Sequence, residues 1–116
     1  MPSLNTVLFD TQYLPAVDTE MYVSPEEGGG TLVDKVSATN TDSVTRTVTV
    51  RIYPPSEAPT GTEFIIVQAK QILAGATYLF PEVVGQLINA GGSLHMEGSA
   101  AGVIVARASG REITSA

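Results

Sequence analysis

The sequence predicts an all-β fold, an antiparallel β-sandwich of about eight strands with the strand order of a jelly roll. Thr, Val and Ile, which favour strands, are abundant in the chain. Apolar and polar residues alternate across residues 44–53, as expected for a strand with one buried face. Turn-forming residues separate short runs every eight to twelve residues or so. The length of 116 residues fits a single domain, 1–116, in which residues 1–18 form either an N-terminal arm or the first strand.

Alternation and turn residues place the individual strands. Val48, Val50 and Ile52 share the predicted inward face of the clearest strand, and Leu94 and Met96 share that of a later one. Asn and Asp side chains at residues 40–43 favour a turn, which predicts a hairpin between the third and fourth strands. The predicted strands are residues 6–9, 20–23, 31–39, 44–53, 64–73, 77–80, 93–97 and 103–108, with Gly110 expected to end the last one.

One short helix is predicted at residues 82–89. Pro81 suits a helix start, and Glu82 would complement the positive N-terminal dipole. The apolar residues that follow fall at helical spacing: Val83, Val84, Leu87 and Ile88. Gly91 and Gly92 are expected to end the helix.

The net charge of −6 lies entirely in the first 34 residues, because six acids precede the first cation, Lys35. From Lys35 onward six basic residues meet six acidic ones. Such a chain lacks the basic stripe that phosphate backbones require, so we expect no nucleic-acid partner. The acidic third is either a surface for a basic partner or a solvated segment.

Absent residue types exclude several classes of site. The chain has no cysteine, so disulfides and thiolate metal sites are excluded. No run approaches the roughly 20 apolar residues of a membrane helix, and residues 1–4 do not resemble a signal peptide, so we expect no membrane partner. Residues 26–30 lack the spacing of a phosphate-binding or calcium-binding loop, and we expect no cofactor.

His95 is the only histidine, and we predict that it lies exposed on the polar face of its strand. A Ser-His-Asp site needs a nucleophile and a carboxylate within reach of the histidine, and no motif marks such a nucleophile. A zinc site needs more His or Cys ligands than the chain contains. We therefore predict that the protein is not an enzyme.

Apolar residues in excess of one small core suggest an interaction surface. Residues 64–67 and 103–106 are apolar on both strand faces, so a loop, the short helix, the N-terminal segment or another chain must cover one of them. The N-terminal segment mixes apolar and polar residues. Its candidate partner contacts are Leu4, Val7, Phe9, Tyr13 and Leu14.

Four short runs carry a family resemblance: TQYL at residues 11–14, SATNT at 37–41, EVVGQLINAGG at 82–92 and ARASGRE at 106–112. With them the chain resembles the small jelly-roll decoration proteins, also called cement or staple proteins, on the outside of tailed-bacteriophage capsids. The resemblance implies a non-enzymatic virion protein made in the bacterial cytoplasm. It also implies binding to the major capsid protein or another virion protein, as a homodimer or other homo-oligomer.

Two alternatives stay open. Similar sequences resemble tail-, neck- or fibre-associated virion proteins. A receptor- or glycan-binding sandwich is the other alternative, and it would need exposed aromatic rings. The candidates are Tyr22, Tyr53 and Tyr78, with Tyr53 the best placed because it follows the polar register of its strand.

Overall fold

The computed structural model describes residues 3–55 and 62–114, which form two antiparallel β-sheets packed face to face. The strands are β1 Ser3–Tyr13, β2 Thr19–Val23, β3 Thr31–Asn40, β4 Arg46–Tyr53, β5 Ile65–Ile72, β6 Thr77–Tyr78, β7 Leu87–Ile88, β8 Ser93–Gly98 and β9 Ile104–Ile113. The first sheet has the order β1-β9-β3-β6, with β7 also paired to β3, and the second has the order β2-β8-β4-β5. Because β6 and β7 share one edge position, this is the strand order of a jelly roll. The predicted all-β sandwich is confirmed.

The core lies between the two sheets and is built from alternating strand residues. Val48 and Val50 of β4 and Leu94 and Met96 of β8 are fully buried, as predicted. Ile52 is only half-buried and packs at the margin of the core. Val33, Val36 and Ala38 of β3 supply the opposite wall.

Residues 3–13 of the N-terminal segment form β1, the first strand of the first sheet. β1 pairs antiparallel with β9, from Ser3 opposite Ile113 to Tyr13 opposite Val105. The pairing slips between Val7 and Phe9 and again before Gln12, as at β-bulges. This irregularity lets the consecutive residues Leu8 and Phe9 both enter the core.

The predicted helix at residues 82–89 is wrong: the described residues contain no helix, and residues 81–85 form successive turns. Phe80 and Gly85 have φ values of 47° and 87°, which a right-handed helix does not accept. The Gly85 N–H donates to Val33 O at 2.7 Å, and the Val33 N–H donates to Gln86 O at 3.1 Å. The segment therefore follows β3 from β6 to β7. Since no helix is present among the described residues, none there could span a membrane.

The predicted hairpin between the third and fourth strands is also wrong, because β3 and β4 belong to different sheets. The turn itself is built as expected from Asn40, whose side chain donates to Val44 O at 2.8 Å and to Ile72 O at 2.9 Å. Gly110 does not end the last strand. A Cβ at Gly110 would lie 2.3 Å from Leu32 O, so glycine allows β9 to continue beside β3.

Candidate functional site

Exposed apolar side chains concentrate on one side of the sandwich, which we call the β1–β2 edge and define as residues 3–23. β1 and β2 are the terminal strands of their sheets and are joined by residues 14–18. The described residues include ten large apolar side chains that are at least 43% exposed. Half of them lie in this short stretch: Leu4, Val7, Tyr13, Val17 and Val23. An apolar concentration of this kind is typical of an interaction surface.

The five candidate contacts divide into two groups. Leu4 is 58% exposed, Val7 46% and Tyr13 55%, so these three are available to a partner. Phe9 and Leu14 are buried in the protein's own core, at 5% and 0% exposure. As the structure stands, only the first three can form a contact surface, and partner binding itself stays a prediction.

Two exposed apolar residues of the edge, Val17 and Val23, were not predicted from the sequence. Val17 lies in the connector between β1 and β2, and Val23 ends β2. Neither position belongs to an alternating run long enough to assign a face. The signal that could have found them is the clustering of apolar residues in a segment that contains no basic residue.

The β1–β2 edge is acidic as well as apolar. The Asp10 side chain is 88% exposed, Glu20 is also exposed, and residues 3–34 contain no Lys or Arg. Arg107 of β9 approaches Asp10 to 3.5 Å, but both groups are solvated and such a pair contributes little. The edge thus presents negative charge beside apolar side chains.

The outer side of β1 pairs with no other described strand, because β1 ends the first sheet and only β9 lies beside it. Edge strands are usually protected by Lys, Pro or a short length. β1 has eleven residues and contains neither Lys nor Pro. Bulges after Val7 protect the second half of β1 against pairing with another strand. The first half, Ser3–Val7, pairs regularly with β9 and has no such protection.

A second cluster, the Asp18 network, lies on the outer face of the second sheet. Asp18 accepts hydrogen bonds from Arg51 Nη1 at 3.3 Å and from Tyr53 OH at 3.0 Å. Arg51 also donates to Glu97. Because Asp18 is the residue immediately before β2, these contacts from β4 fix the start of β2 to the second sheet.

Two groups of the Asp18 network, Arg51 and Tyr53, have raised pKa values. The hydrogen bond to Glu97, together with the charges of Asp18 and Glu97, raises the pKa of the Arg51 guanidinium. Burial, and then the hydrogen bond to Asp18, raises the pKa of the Tyr53 phenol. Arg51 therefore stays charged and Tyr53 neutral at ordinary pH, as a structural clamp requires.

His95 is buried, at 6% exposure, and the prediction of an exposed histidine is wrong. Its side chain is on the outer, polar face as alternation requires, but the Tyr53 ring packs edge-on at 4.5 Å and covers it. Nε2 lies 3.0 Å from Ser93 Oγ, and Nδ1 lies 3.3 Å from Asp18 Oδ2. The structure thus brings together three residue types of a hydrolytic triad that no sequence motif marks.

The contacts of this array differ from those of a hydrolytic triad. Nδ1 of His95 makes no hydrogen bond, because its approach to Asp18 is poorly directed. Both Asp18 oxygens are already engaged by Arg51 and Tyr53. The N–H groups of Gly91 and Gly92, the amides that precede Ser93, donate to Ser24 O and Asn89 O. These two amides therefore cannot stabilise an oxyanion.

The three tyrosines proposed for glycan stacking all make contacts within the protein, and Tyr53 among them is buried. Tyr53 is 2% exposed and closes the sheet margin against Phe64, 5.2 Å away between ring centroids. Tyr22 OH contacts Thr31 and Glu112, and burial followed by the Glu112 hydrogen bond raises its pKa to about 12. Tyr78 OH donates to Glu82, and Lys70 lies 4.7 Å above its ring. Of the three, Tyr53 offers no ring face to a sugar.

A shallow depression of about 430 Å³ adjoins β1 and is lined by Asn5, Thr6, Val7, Asp34, Ser109 and Gly110. Asp34 there accepts two hydrogen bonds from Arg111 Nε and one from Nη2. No group of three His, Asp or Glu side chains within residues 3–55 and 62–114 is placed to hold a metal ion.

No family model matches the chain, and no curated protein or solved structure matches it either.

Proposed function

We propose that the protein is a non-enzymatic virion structural protein that binds and stabilises the outside of a tailed-bacteriophage capsid. The virion and the capsid come from the family resemblance carried by the four sequence runs. The structural observation that supports binding is the β1–β2 edge, where exposed apolar and acidic side chains stand together. Exposed apolar patches mark interaction surfaces, and charges beside them select a partner of opposite charge.

The proposed mechanism needs no chemical step. A stable interface buries about 800 Å² per partner, to which the exposed side chains Leu4, Val7 and Tyr13 contribute apolar area. Copies bound to the assembled shell, as dimers or other oligomers, stabilise that shell by mass action because they bind it and not its free subunits. A rigid sandwich suits this role, since little order has to be gained on binding.

The alternatives rest on fewer observations. A protein of the tail, neck or fibre would bind through the same edge. The two possibilities therefore differ only in whether the protein binds to the capsid fraction or to the tail fraction. Glycan binding is weakened because Tyr53, its best candidate, is covered.

The test uses particles of the phage that encodes the chain, assembled without it. Purified protein is added to separated capsid and tail fractions, and bound copies are counted by quantitative mass spectrometry. We expect saturable binding to capsids and a higher temperature of capsid disruption. Binding to tails alone would show that the protein is a tail protein and not a capsid decoration protein. No binding to either fraction would refute the proposed function.

A matched pair of variants tests the surface. Leu4→Ser with Tyr13→Ser removes two exposed apolar side chains of the edge, and we expect at least a tenfold loss of capsid affinity. Val44→Ser with Leu73→Ser removes two side chains of similar exposure outside the edge, at 50% and 66%. The second pair should bind as the unaltered protein does.

A further inference from the structure

We propose that the β1–β2 edge takes up an extended, Lys- or Arg-bearing segment of the partner protein, which adds to β1 as a further strand of the first sheet. This inference names the partner chemistry of the surface in the proposed function and rests on it. Strand addition is a general mode of peptide recognition in which backbone hydrogen bonds provide affinity and alternate side chains provide specificity.

The backbone of β1 supplies the first argument. β1 is terminal in the order β1-β9-β3-β6, so one row of its N–H and C=O groups faces outward. Pairing with β9 is regular over five consecutive residues, Ser3–Val7, and slips immediately afterwards. A regular strand presents evenly arranged backbone groups, whereas a bulge interrupts them. The added strand is therefore expected to pair with Ser3–Val7 and to end near the bulge.

The side chains next to this stretch supply the second argument. Leu4 and Val7 are exposed there on opposite faces of the regular strand, so apolar residues on each face of an added strand would contact one of them across the ladder. The depression of about 430 Å³ lies beside the same stretch and is lined by Asn5, Thr6 and Val7. It offers space for one side chain of the incoming segment.

Charge decides between the partners that could supply such a strand. The edge carries Asp10 and Glu20, and Glu26 and Glu27 follow β2, all of them exposed. A second copy of the same edge would bring acids against acids, since the two neighbouring cations, Arg107 and Arg111, already contact Asp10 and Asp34. A basic segment instead places opposite charges across the interface, which increases the association rate and selects the partner. A heterologous basic partner is therefore favoured over a second copy.

The experiment uses the full chain, labelled with ¹⁵N, and a nine-residue peptide of alternating lysine and valine as the probe. Binding is measured by amide chemical shifts, and strand addition by hydrogen exchange of the backbone amides. We expect at least tenfold slower exchange at outward-facing amides of Ser3–Val7 when the peptide is saturating. A peptide of alternating glutamate and valine, and a lysine–valine peptide with a central proline, should each bind at least tenfold more weakly.

Charge variants provide the matched control. Asp10→Lys with Glu20→Lys should weaken binding of the lysine–valine peptide at least tenfold. Glu63→Lys makes the same kind of change at an exposed residue next to β5, the opposite edge of the second sheet, and should change the affinity less than twofold.

Several results would overturn the inference. They are unchanged exchange in β1 at saturating peptide, equal binding of the glutamate peptide, and protection of the same amides by self-association of the chain alone. The proposed function fails separately. If capsids bind the protein but the peptide and charge variants have no effect, only the inference is wrong. If β1 takes up the peptide while no particle fraction binds the protein, the proposed function is wrong and strand addition stands.

Discussion

Replacing Leu14 by alanine and, separately, Leu4 by alanine separates core residues from surface residues within the N-terminal segment. Leu14 is fully buried, its N–H donates to Ile104 O at 2.8 Å, and it lies beside Gly98 in the core. Removing a buried leucine side chain costs about 2–5 kcal/mol, through lost apolar burial and the cavity that remains. Leu4 is 58% exposed, so its truncation should change stability by no more than about 0.5 kcal/mol.

Urea denaturation followed by circular dichroism measures both variants against the unaltered protein. With an m-value of about 1.5 kcal/mol/M, a loss of about 3 kcal/mol moves the midpoint down by about 2 M. The midpoint of Leu4→Ala should stay within about 0.3 M of the reference by the same conversion. If Leu14→Ala costs less than about 1 kcal/mol, or Leu4→Ala costs as much as Leu14→Ala, the assignment of these residues to core and surface is wrong.

Three further predictions address single features of the fold and of the Asp18 network. Gly110→Ala should lower stability by about 1–3 kcal/mol, because the alanine Cβ would lie 2.3 Å from the Leu32 carbonyl oxygen. An unchanged melting temperature would contradict the close approach of β9 to β3. Stability should fall as pH rises from about 10 to about 12, since the unfolded chain loses the Tyr22 proton while the folded protein, with its pKa of about 12, retains it. Two pKa units correspond to about 2.7 kcal/mol, which solvent screening of this half-buried group reduces to about 1 kcal/mol; Tyr22→Phe should remove that part of the slope, and an identical pH profile for both proteins would refute it. Ser93 should not be labelled by a fluorophosphonate probe at pH 8, because the two glycine amides that precede it are already hydrogen-bonded; labelling that disappears in Ser93→Ala would contradict the non-enzymatic proposal.

Strand positions could be predicted because alternation is a local property of the sequence. Val48 and Val50, or Leu94 and Met96, identify a buried face without knowledge of the neighbouring strands. Strand pairing could not be predicted in the same way. The turn at Asn40 is correct locally, yet it connects two sheets, because β3 finds its partners in β9, β6 and β7.

The helix prediction failed because apolar spacing alone does not fix backbone conformation. Val83 and Ile88 are buried, whereas Val84 and Leu87 between them are exposed at 45% and 43%. The buried pair is five residues apart, which does not correspond to one face of a helix. Phe80, in the left-handed region at φ 47°, gives no warning in the sequence because aromatic residues rarely adopt this conformation.

The candidate site could be predicted in part. The acidic, apolar character of the N-terminal third is visible in the sequence, but its division between core and surface depends on the bulges in β1. The slip after Val7 turns Phe9 inward beside Leu8, whereas Val7 before it stays exposed. Burial of His95 was missed because its cover, Tyr53, and its polar neighbour, Asp18, lie far from it in sequence. Alternation assigned the correct face to His95 but not its solvent exposure.

Hydrogen exchange of the protein bound to capsids tests the β1–β2 edge as the contact most directly. The complex is exchanged in deuterated buffer, dissociated and digested, and each peptide is compared with the same peptide from free protein. Peptides covering residues 3–23 should exchange at least tenfold more slowly on the capsid, while peptides from β5, at the far edge of the second sheet, should be unchanged. Slower exchange in β5 with no change in residues 3–23 would contradict the account.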